Sequence, residues 1–133
     1  MKPYALAAGE GRTFDYGIPH VVKAGELLPG RGAAFFELTT RAGEEPPPHT
    51  HRTEDEVFYV LEGSLTFHCD GQDFPVTAGG FMYLPRGLQH GYTIPTGADV
   101  RLLVVTFPVR ETGPGWGGYL ADVETQGELL NPQ

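Results

Sequence analysis

Two histidines and a nearby carboxylate are the residues of this chain best suited to hold a metal ion. His49 and His51 are two positions apart, and side chains two apart in an extended strand project from the same face. Glu56 has an odd offset from His51, so it must return to that face after a turn through residues 52–55. Two imidazoles and a carboxylate that converge in this way predict a divalent-metal site.

Three consecutive acids compete for the role of the carboxylate ligand, namely Glu54, Asp55 and Glu56. The alternation of faces along a strand selects Glu56. With Glu56 inward, Phe58 and Val60 also point inward and form an apolar wall beside the ion. We expect Glu54 and Asp55 to remain in the loop as solvated charges.

The elements that position these groups are short strands. Apolar and β-branched runs between turn residues predict strands at 21–22, 34–40, 56–61, 64–69, 72–76, 81–84, 90–94 and 100–107. The chain holds 19 Gly and 12 Pro, which favours many short elements joined by tight turns. This pattern is typical of an all-β sandwich or barrel, here spanning about residues 20–107. The tail at 108–133 is expected to be an extended loop with one short helix inside 119–130.

The overall composition excludes several kinds of partner. A chain of 133 residues has the size of one domain. Its net charge of −8 and its pI near 4.9 argue against nucleic acid or an anionic membrane surface as partner. The longest apolar runs fall well short of the ~18 residues that a membrane span requires. The single Cys69 excludes an intrachain disulfide and has no adjacent base, so we expect a cytoplasmic protein in which this thiol is not a nucleophile.

A second informative stretch, residues 79–90, runs from a strand through a Pro-x-Gly turn into another histidine. Five, one and two residues separate its marker positions, which are Gly79, Pro85, Gly87 and His90. In the first stretch five, one, four and six residues separate Gly43, His49, His51, Glu56 and Gly63. With both sets of intervals present in this order, the chain resembles the cupin family.

The resemblance implies a jelly-roll β-barrel, also called a double-stranded β-helix, formed by one domain. It also implies that one divalent metal lies inside the barrel, held by the matching positions His49, His51, Glu56 and His90. Neutral imidazoles and a carboxylate suit Fe, Mn, Ni, Co, Cu or Zn. The family pattern often has Asn four residues after the last histidine, where this chain has Ile94.

The pocket around the ion is expected to be mostly apolar, which suits an aromatic or otherwise hydrophobic ligand. Its candidate lining residues are Phe36, Leu38, Phe58, Val60, Tyr83 and Tyr92. Tyr92 could donate a hydrogen bond to a metal-bound ligand, with a plain core tyrosine as the alternative. Glu56 could double as a general base.

Other charged or titratable residues have structural interpretations. His20 and His68 fall outside the motif positions, and we expect His68 on the solvated face of a hairpin. Glu37 lies inside a strand and needs a partner if it is buried, for which Arg101 is a candidate.

Within the family, the strings HTHRTEDEVFYVLEGSLTF and AGGFMYLPRGLQHGY resemble the quercetin 2,3-dioxygenase-like branch. This resemblance implies a metal-dependent dioxygenase that acts on a hydrophobic or aromatic small molecule together with dioxygen. Two alternatives stay open: a non-oxidative metal-dependent isomerase, lyase or cyclase, and a non-catalytic barrel that binds a small molecule.

The resemblance also favours a homodimer, because an open sandwich has edge strands that need covering. The tail at 108–133 is expected to pack on the barrel or on a partner subunit. Trp116, the only tryptophan, lies in a glycine-rich stretch that cannot pack it locally. It could serve as a lid over the barrel mouth or simply dock the tail.

Overall fold

Two antiparallel β-sheets pack face to face in this protein, whose structure is a computed structural model. The structure describes residues 2–15, 17–24 and 32–108. All regular elements in these ranges are strands, which confirms the all-β class. They are β1 (Arg12–Asp15), β2 (Pro19–Ala24), β3 (Ala34–Arg41), β4 (Glu54–Glu62), β5 (Ser64–Cys69), β6 (Gln72–Thr77), β7 (Phe81–Leu84), β8 (His90–Thr93) and β9 (Asp99–Pro108).

The larger sheet has the strand order β1-β2-β3-β9-β4-β7, and the smaller sheet has the order β6-β5-β8. The last strand, β9, lies at the centre of the larger sheet between β3 and β4. It pairs with β3 from Ala34↔Thr106 to Arg41↔Asp99 and with β4 from Glu54↔Pro108 to Glu62↔Arg101. Strands from distant parts of the chain are therefore neighbours, as in a jelly roll.

The apolar core lies between the sheets and follows the two-residue period of the strands. On β9 the residues Val100, Leu102 and Val104 are fully buried, whereas the intervening residues are partly exposed. The smaller sheet contributes Leu65, Phe67 and Cys69 from β5 to the same cluster. The contact between sheets is thus made by alternate side chains.

The turn between β4 and β5 explains why one motif position is glycine. Gly63 has φ of +85°, a left-handed conformation that L side chains rarely adopt. A Cβ atom there would lie 2.6 Å from the carbonyl oxygen of Asp99. Any side chain at this position would therefore push β9 away from the hairpin.

Some local expectations from the sequence were wrong. Asp55 lies inside β4 and is buried, with 8% of its surface exposed, so it is not a solvated loop charge. The strand starts earlier than predicted because residues 54 and 55 pair with the end of β9. The unpredicted strand β1 has no buried residue and forms through backbone pairing with β2, so its sequence shows no apolar alternation to detect.

Other expectations can be located directly. Arg101 donates from Nε to Glu37 Oε1 at 2.7 Å, and this hydrogen bond is the main cause that lowers the pKa of Glu37.

The suggested tail helix and Trp116 lie outside the described residues. In the described ranges the structure has no helix long and apolar enough to cross a membrane.

Adjacent leucines on β9 provide a test of this arrangement. Leu102 is fully buried between the sheets, and Leu103 lies on the opposite, half-buried face. We expect Leu102→Ala to lower the free energy of unfolding by about 2–5 kcal/mol, because it leaves a cavity in a packed core. Leu103→Ala should cost at most about 1 kcal/mol. Urea unfolding of both variants measures the difference, and equal losses would contradict the inward register of β9.

Candidate metal centre

A reciprocal pair of backbone hydrogen bonds joins two of the histidines predicted from the sequence. The His49 N–H donates to the His90 carbonyl and the His90 N–H donates to the His49 carbonyl, both at 2.9 Å. The preceding residues 46–48 are all proline, so the approach to His49 is stiff. The bridge fixes the two imidazoles side by side, with ring centroids 4.6 Å apart.

The side chain of His49 is oriented by its own chain. Its Nδ1 lies 2.9 Å from the carbonyl oxygen of Pro47, which can only accept a hydrogen bond. In the neutral ring Nδ1 therefore carries the proton, and the lone pair of Nε2 is free to bind a metal.

His51 is held by the turn that precedes β8. Its carbonyl accepts a hydrogen bond of 2.7 Å from Gly87 N–H. Its side-chain Nε2 donates to Glu56 Oε2 at 2.9 Å. That hydrogen bond is the largest cause that raises the pKa of His51, with burial acting in the opposite direction.

Glu56 faces inward from β4, as the alternation of faces predicts. It pairs across the sheet with Leu84 on β7 and with Thr106 on β9, and only 8% of its surface is exposed. Its Oε2 lies 3.9 Å from His90 Nε2, too far for a hydrogen bond.

His90 provides the test of whether a metal ion suits this site. It is 4% exposed, and neither ring nitrogen has a hydrogen-bond partner of normal geometry among the described residues. Burial is the first cause that lowers the pKa of His90, and the nearby His49 and His51 also lower it, whereas Glu56 and a backbone contact with Leu88, outside normal hydrogen-bond geometry, oppose. A buried neutral imidazole with a free lone pair costs about 1–3 kcal/mol unless a partner satisfies it. A metal ion is such a partner, so the residues present fit one.

The four groups also have the dimensions of one coordination sphere. Their donor atoms all lie within 4.8 Å of one another. Ligand atoms at about 2.0–2.2 Å from a common ion lie roughly 3–4.4 Å from one another. The donor atoms of these four residues would therefore have to move only slightly closer together to bind one ion. The cluster His49, His51, Glu56 and His90 could hold one divalent ion.

The four residues of the cluster line a cavity of about 690 Å³. Four of the residues predicted to line the pocket do line this cavity, namely Phe36, Leu38, Phe58 and Tyr92. Two others do not. Val60 lies deeper in the core with no exposed surface, and Tyr83 points to the outer side of β7, between the inward Met82 and Leu84.

Sequence reasoning missed the contribution of Asp55 to the site. Asp55 Oδ1 accepts a hydrogen bond of 2.8 Å from the Arg86 N–H, and Oδ2 accepts one from the Tyr83 hydroxyl. These contacts hold the turn that leads to His90. The alternation of faces along β4 that selects Glu56 also places Asp55 on the other face, and the sequence does not reveal its partners there.

Glu45 is a second residue that the sequence did not single out. Its carboxylate accepts hydrogen bonds from Gly43 N–H at 2.6 Å and Ile94 N–H at 3.3 Å. Backbone hydrogen bonds, including these, lower the pKa of Glu45. Because Glu45 also lines the cavity, it adds a fixed negative charge to its wall.

The two histidines outside the motif lie apart from the cluster. His20 also lines the cavity, with Nδ1 2.8 Å from the Ile18 carbonyl and its ring 5.3 Å from Phe36. His68 lies on β5 and contacts Asp73 at 2.6 Å and Thr93 at 3.0 Å.

The Asp55–Tyr83 contact makes stability depend on pH. Burial, and then the hydrogen bond to Asp55, raise the pKa of Tyr83 from 10.0 to about 12. The unfolded chain therefore loses this proton first, and the stabilisation present below about pH 10 declines as the pH rises towards the folded-state value. Urea unfolding at about pH 9 and about pH 11 should show a larger loss for the wild type than for Tyr83→Phe. Equal losses would mean that Tyr83 titrates normally.

Comparison with known proteins extends the likeness seen in the motifs. The family model described as a cupin domain matches residues 36–106, more than half of the chain. Quercetin 2,3-dioxygenase of Bacillus subtilis is 30% identical over 96 residues, which cover 69% of this chain and 28% of that protein. The oxalate-binding protein of Thermotoga maritima is 28% identical over 105 residues, covering 79% of this chain and 86% of that one.

A solved structure supports the fold independently of sequence. The cupin domain of Cnp3 from Schizosaccharomyces pombe superposes with a TM-score of 0.67 at 15% identity, covering 97% of this chain and 84% of that chain. The resemblance found in the two motifs is thereby confirmed, and the chain belongs to the cupin family.

Proposed function

We propose that this cupin is a metal-dependent dioxygenase whose substrate is a neutral aromatic or hydrophobic molecule with an acidic hydroxyl group. The observation that carries the proposal is the convergence of three imidazoles and one carboxylate on the wall of a cavity whose other lining is largely apolar. In this proposal the metal ligands are His49, His51, Glu56 and His90. A bound ion would supply Lewis-acid chemistry there and, if redox-active, electron transfer towards dioxygen.

The size and lining of the cavity support an aromatic substrate. About 690 Å³ lies within the range of pockets that enclose drug-sized molecules. Ile18, Phe36, Leu38, Phe58 and Val104 line it with apolar side chains. A planar ring would lie against these side chains with its hydroxyl towards the cluster.

The charge of the cavity favours a neutral molecule over a small dicarboxylate. Glu44, Glu45 and Glu56 line the cavity, and its described lining includes no lysine or arginine. Away from the bound metal ion, an oxalate-like dianion would meet Glu44 and Glu45 without a lysine or arginine in the described lining to offset them.

Two side chains have roles in handling the substrate hydroxyl. Glu56, which lines the cavity from β4, would accept the hydroxyl proton as a general base once its carboxylate leaves the metal ion. The phenol of Tyr92, which lines the cavity and whose pKa is raised mainly by burial, is neutral at physiological pH and would donate a hydrogen bond to a substrate oxygen.

A non-catalytic binding barrel is the second candidate. The lengths of the relatives favour this candidate. The match covers 86% of the oxalate-binding protein but only 28% of the quercetin dioxygenase. The same cluster and cavity would then hold a metal and a ligand without turnover.

Metal analysis tests the ligand set. We expect about one equivalent of divalent metal per chain, and His90→Ala should lower the metal affinity by more than about tenfold, since even outer contacts of ligands contribute 10–100-fold. His68→Ala is the matched control, because His68 lies outside the cluster. Mass spectrometry of metal content after dialysis measures both. Full metal content in His90→Ala would contradict the proposed site.

Oxygen uptake tests the reaction. With an iron-, manganese-, nickel-, cobalt- or copper-loaded chain we expect a flavonol to cause stoichiometric oxygen consumption, and oxalate to cause none. A zinc-only preparation should be inactive, because zinc has no redox chemistry. Product formation without oxygen consumption would identify a non-oxidative enzyme. Binding without turnover would favour the binding barrel.

A further inference from the structure

The outward face of the smaller sheet carries three polar side chains that the proposed function does not use. They are Asp73 on β6, His68 on β5 and Thr93 on β8, so they come from three neighbouring strands. His68 is directly opposite Asp73 in the register, and Thr93 is opposite Thr66, two residues before His68 on β5. Side chains at such direct and diagonal positions on one face of a sheet are within reach of one another.

The imidazole of His68 contacts both of the other side chains, one through each ring nitrogen. Its Nδ1 lies 2.6 Å from Asp73 Oδ1, and its Nε2 lies 3.0 Å from Thr93 Oγ1. An ionised carboxylate can only accept hydrogen bonds, so Nδ1 carries the proton in the neutral ring. Nε2 then has a free lone pair, which accepts the hydrogen bond that the Thr93 hydroxyl donates. Asp73 thus fixes the tautomer in which His68 acts as a base towards Thr93.

Stability alone does not account for this arrangement. The side chains of His68 and Asp73 are 40% and 71% exposed, and water screens an ion pair at such positions so that it contributes little to folding. A carboxylate, an imidazole and a hydroxyl linked in this order are instead the recurring arrangement by which proteins activate a hydroxyl as a nucleophile.

A cavity of about 440 Å³ opens at the imidazole and the hydroxyl. His68 and Thr93 both line it, whereas Asp73 is not part of its described lining. Gly91, the cross-strand partner of His68, also lines the cavity and has no side chain to cover the imidazole. This smaller cavity shares wall residues with the cavity of the metal centre, but His68 and Thr93 line only the smaller of the two. A substrate in it would therefore meet the base and the hydroxyl directly.

The rest of the lining indicates the kind of substrate. Pro46 and Pro48 contribute apolar walls, and the carboxylate of Glu45 disfavours an anionic ligand. The described lining has no lysine or arginine that would stabilise the charge of a departing alkoxide, which favours an ester whose leaving group is a weak base. The smaller cavity therefore suits a small, uncharged and activated ester.

We propose that His68, Asp73 and Thr93 form a second catalytic site, which hydrolyses small activated esters through an acyl-Thr93 intermediate. Thr93 is the nucleophile and His68 the general base, and Asp73 is a positioning residue that acts through His68. This proposal does not depend on the metal ion or on the proposed dioxygenase reaction.

The reaction needs only the ester and water. In the first step Thr93 Oγ forms a bond to the acyl carbon, and the hydroxyl proton passes to His68 Nε2. The bond from the acyl carbon to the leaving-group oxygen breaks, and His68 returns the proton to that oxygen. In the second step water attacks the acyl carbon and gives a proton to His68. The bond to Thr93 Oγ then breaks, Thr93 regains its proton, and the carboxylic acid leaves.

Hydrolysis of p-nitrophenyl acetate by the full-length chain tests the proposal. We expect release of p-nitrophenolate, followed by its absorbance, to exceed the rate in buffer. Peptide mass spectrometry after an acid quench should locate an acetyl group on Thr93. Thr93→Val should lower the turnover by about tenfold or more, because it removes the nucleophile from its general base. Thr66→Val is the matched control on the same face of the sheet, and it should leave the turnover unchanged.

Variants of the other two residues separate their roles. His68→Gln should lower the turnover about as much as Thr93→Val, because a base and its nucleophile act as a unit. Asp73→Asn should also lower it, since an amide can donate to Nδ1 and so favour the tautomer whose Nε2 cannot accept from Thr93. Asp73→Glu keeps a carboxylate and should retain a larger share of the turnover than Asp73→Asn. Circular dichroism verifies that each variant is folded.

Three outcomes would overturn the proposal. The first is a wild-type rate no higher than that of buffer. The second is full turnover in Thr93→Val, or an acetyl group found only on lysines and the amino terminus. The third is a loss of turnover in His68→Gln without a loss in Thr93→Val, because the imidazole itself would then be the nucleophile.

Discussion

The reciprocal backbone bridge between His49 and His90 is the interaction on which the candidate metal centre depends. It joins the segment before β4, a strand of the larger sheet, to the first residue of β8 in the smaller sheet. Without it, the imidazoles would belong to two separate layers of the sandwich. The proline run at 46–48 restricts the unfolded chain before His49, so less conformational entropy is lost when the bridge forms.

The same end of the sandwich concentrates polar groups that the fold itself does not satisfy. His90 is buried and neutral, and it has no hydrogen-bond partner of normal geometry in the described part of the chain. The apolar core of Leu84, Val104 and their neighbours begins directly beside it. Natural proteins accept such local conflicts where function requires them, so this unsatisfied imidazole is stronger support for a metal than the number of histidines.

Strand β4 connects the two faces of the larger sheet. Glu56 points into the cavity, while its neighbour Asp55 points to the other side and holds the turn before His90 through Arg86. Farther along the strand, Phe58 lines the cavity and the exposed Tyr59 lies on the opposite face. One strand therefore positions the proposed ligand, supports the loop of another ligand and carries apolar surface on both sides, because successive side chains alternate between faces.

The sequence by itself determined the class of fold, the core strands and the four members of the cluster. The fold class and the strands follow from local rules, namely the two-residue period of strands and the turn residues between them. The full set of four follows from the resemblance of the intervals around His49 and His90 to those of the cupin family. Tertiary structure alone decided the rest. The start of β4, the burial of Asp55, the existence of β1 and the outward direction of Tyr83 all depend on pairing with residues distant in the chain. The local periodicity of the sequence does not indicate which distant residues pair with these positions. Backbone pairing and burial are set only when the sheets assemble.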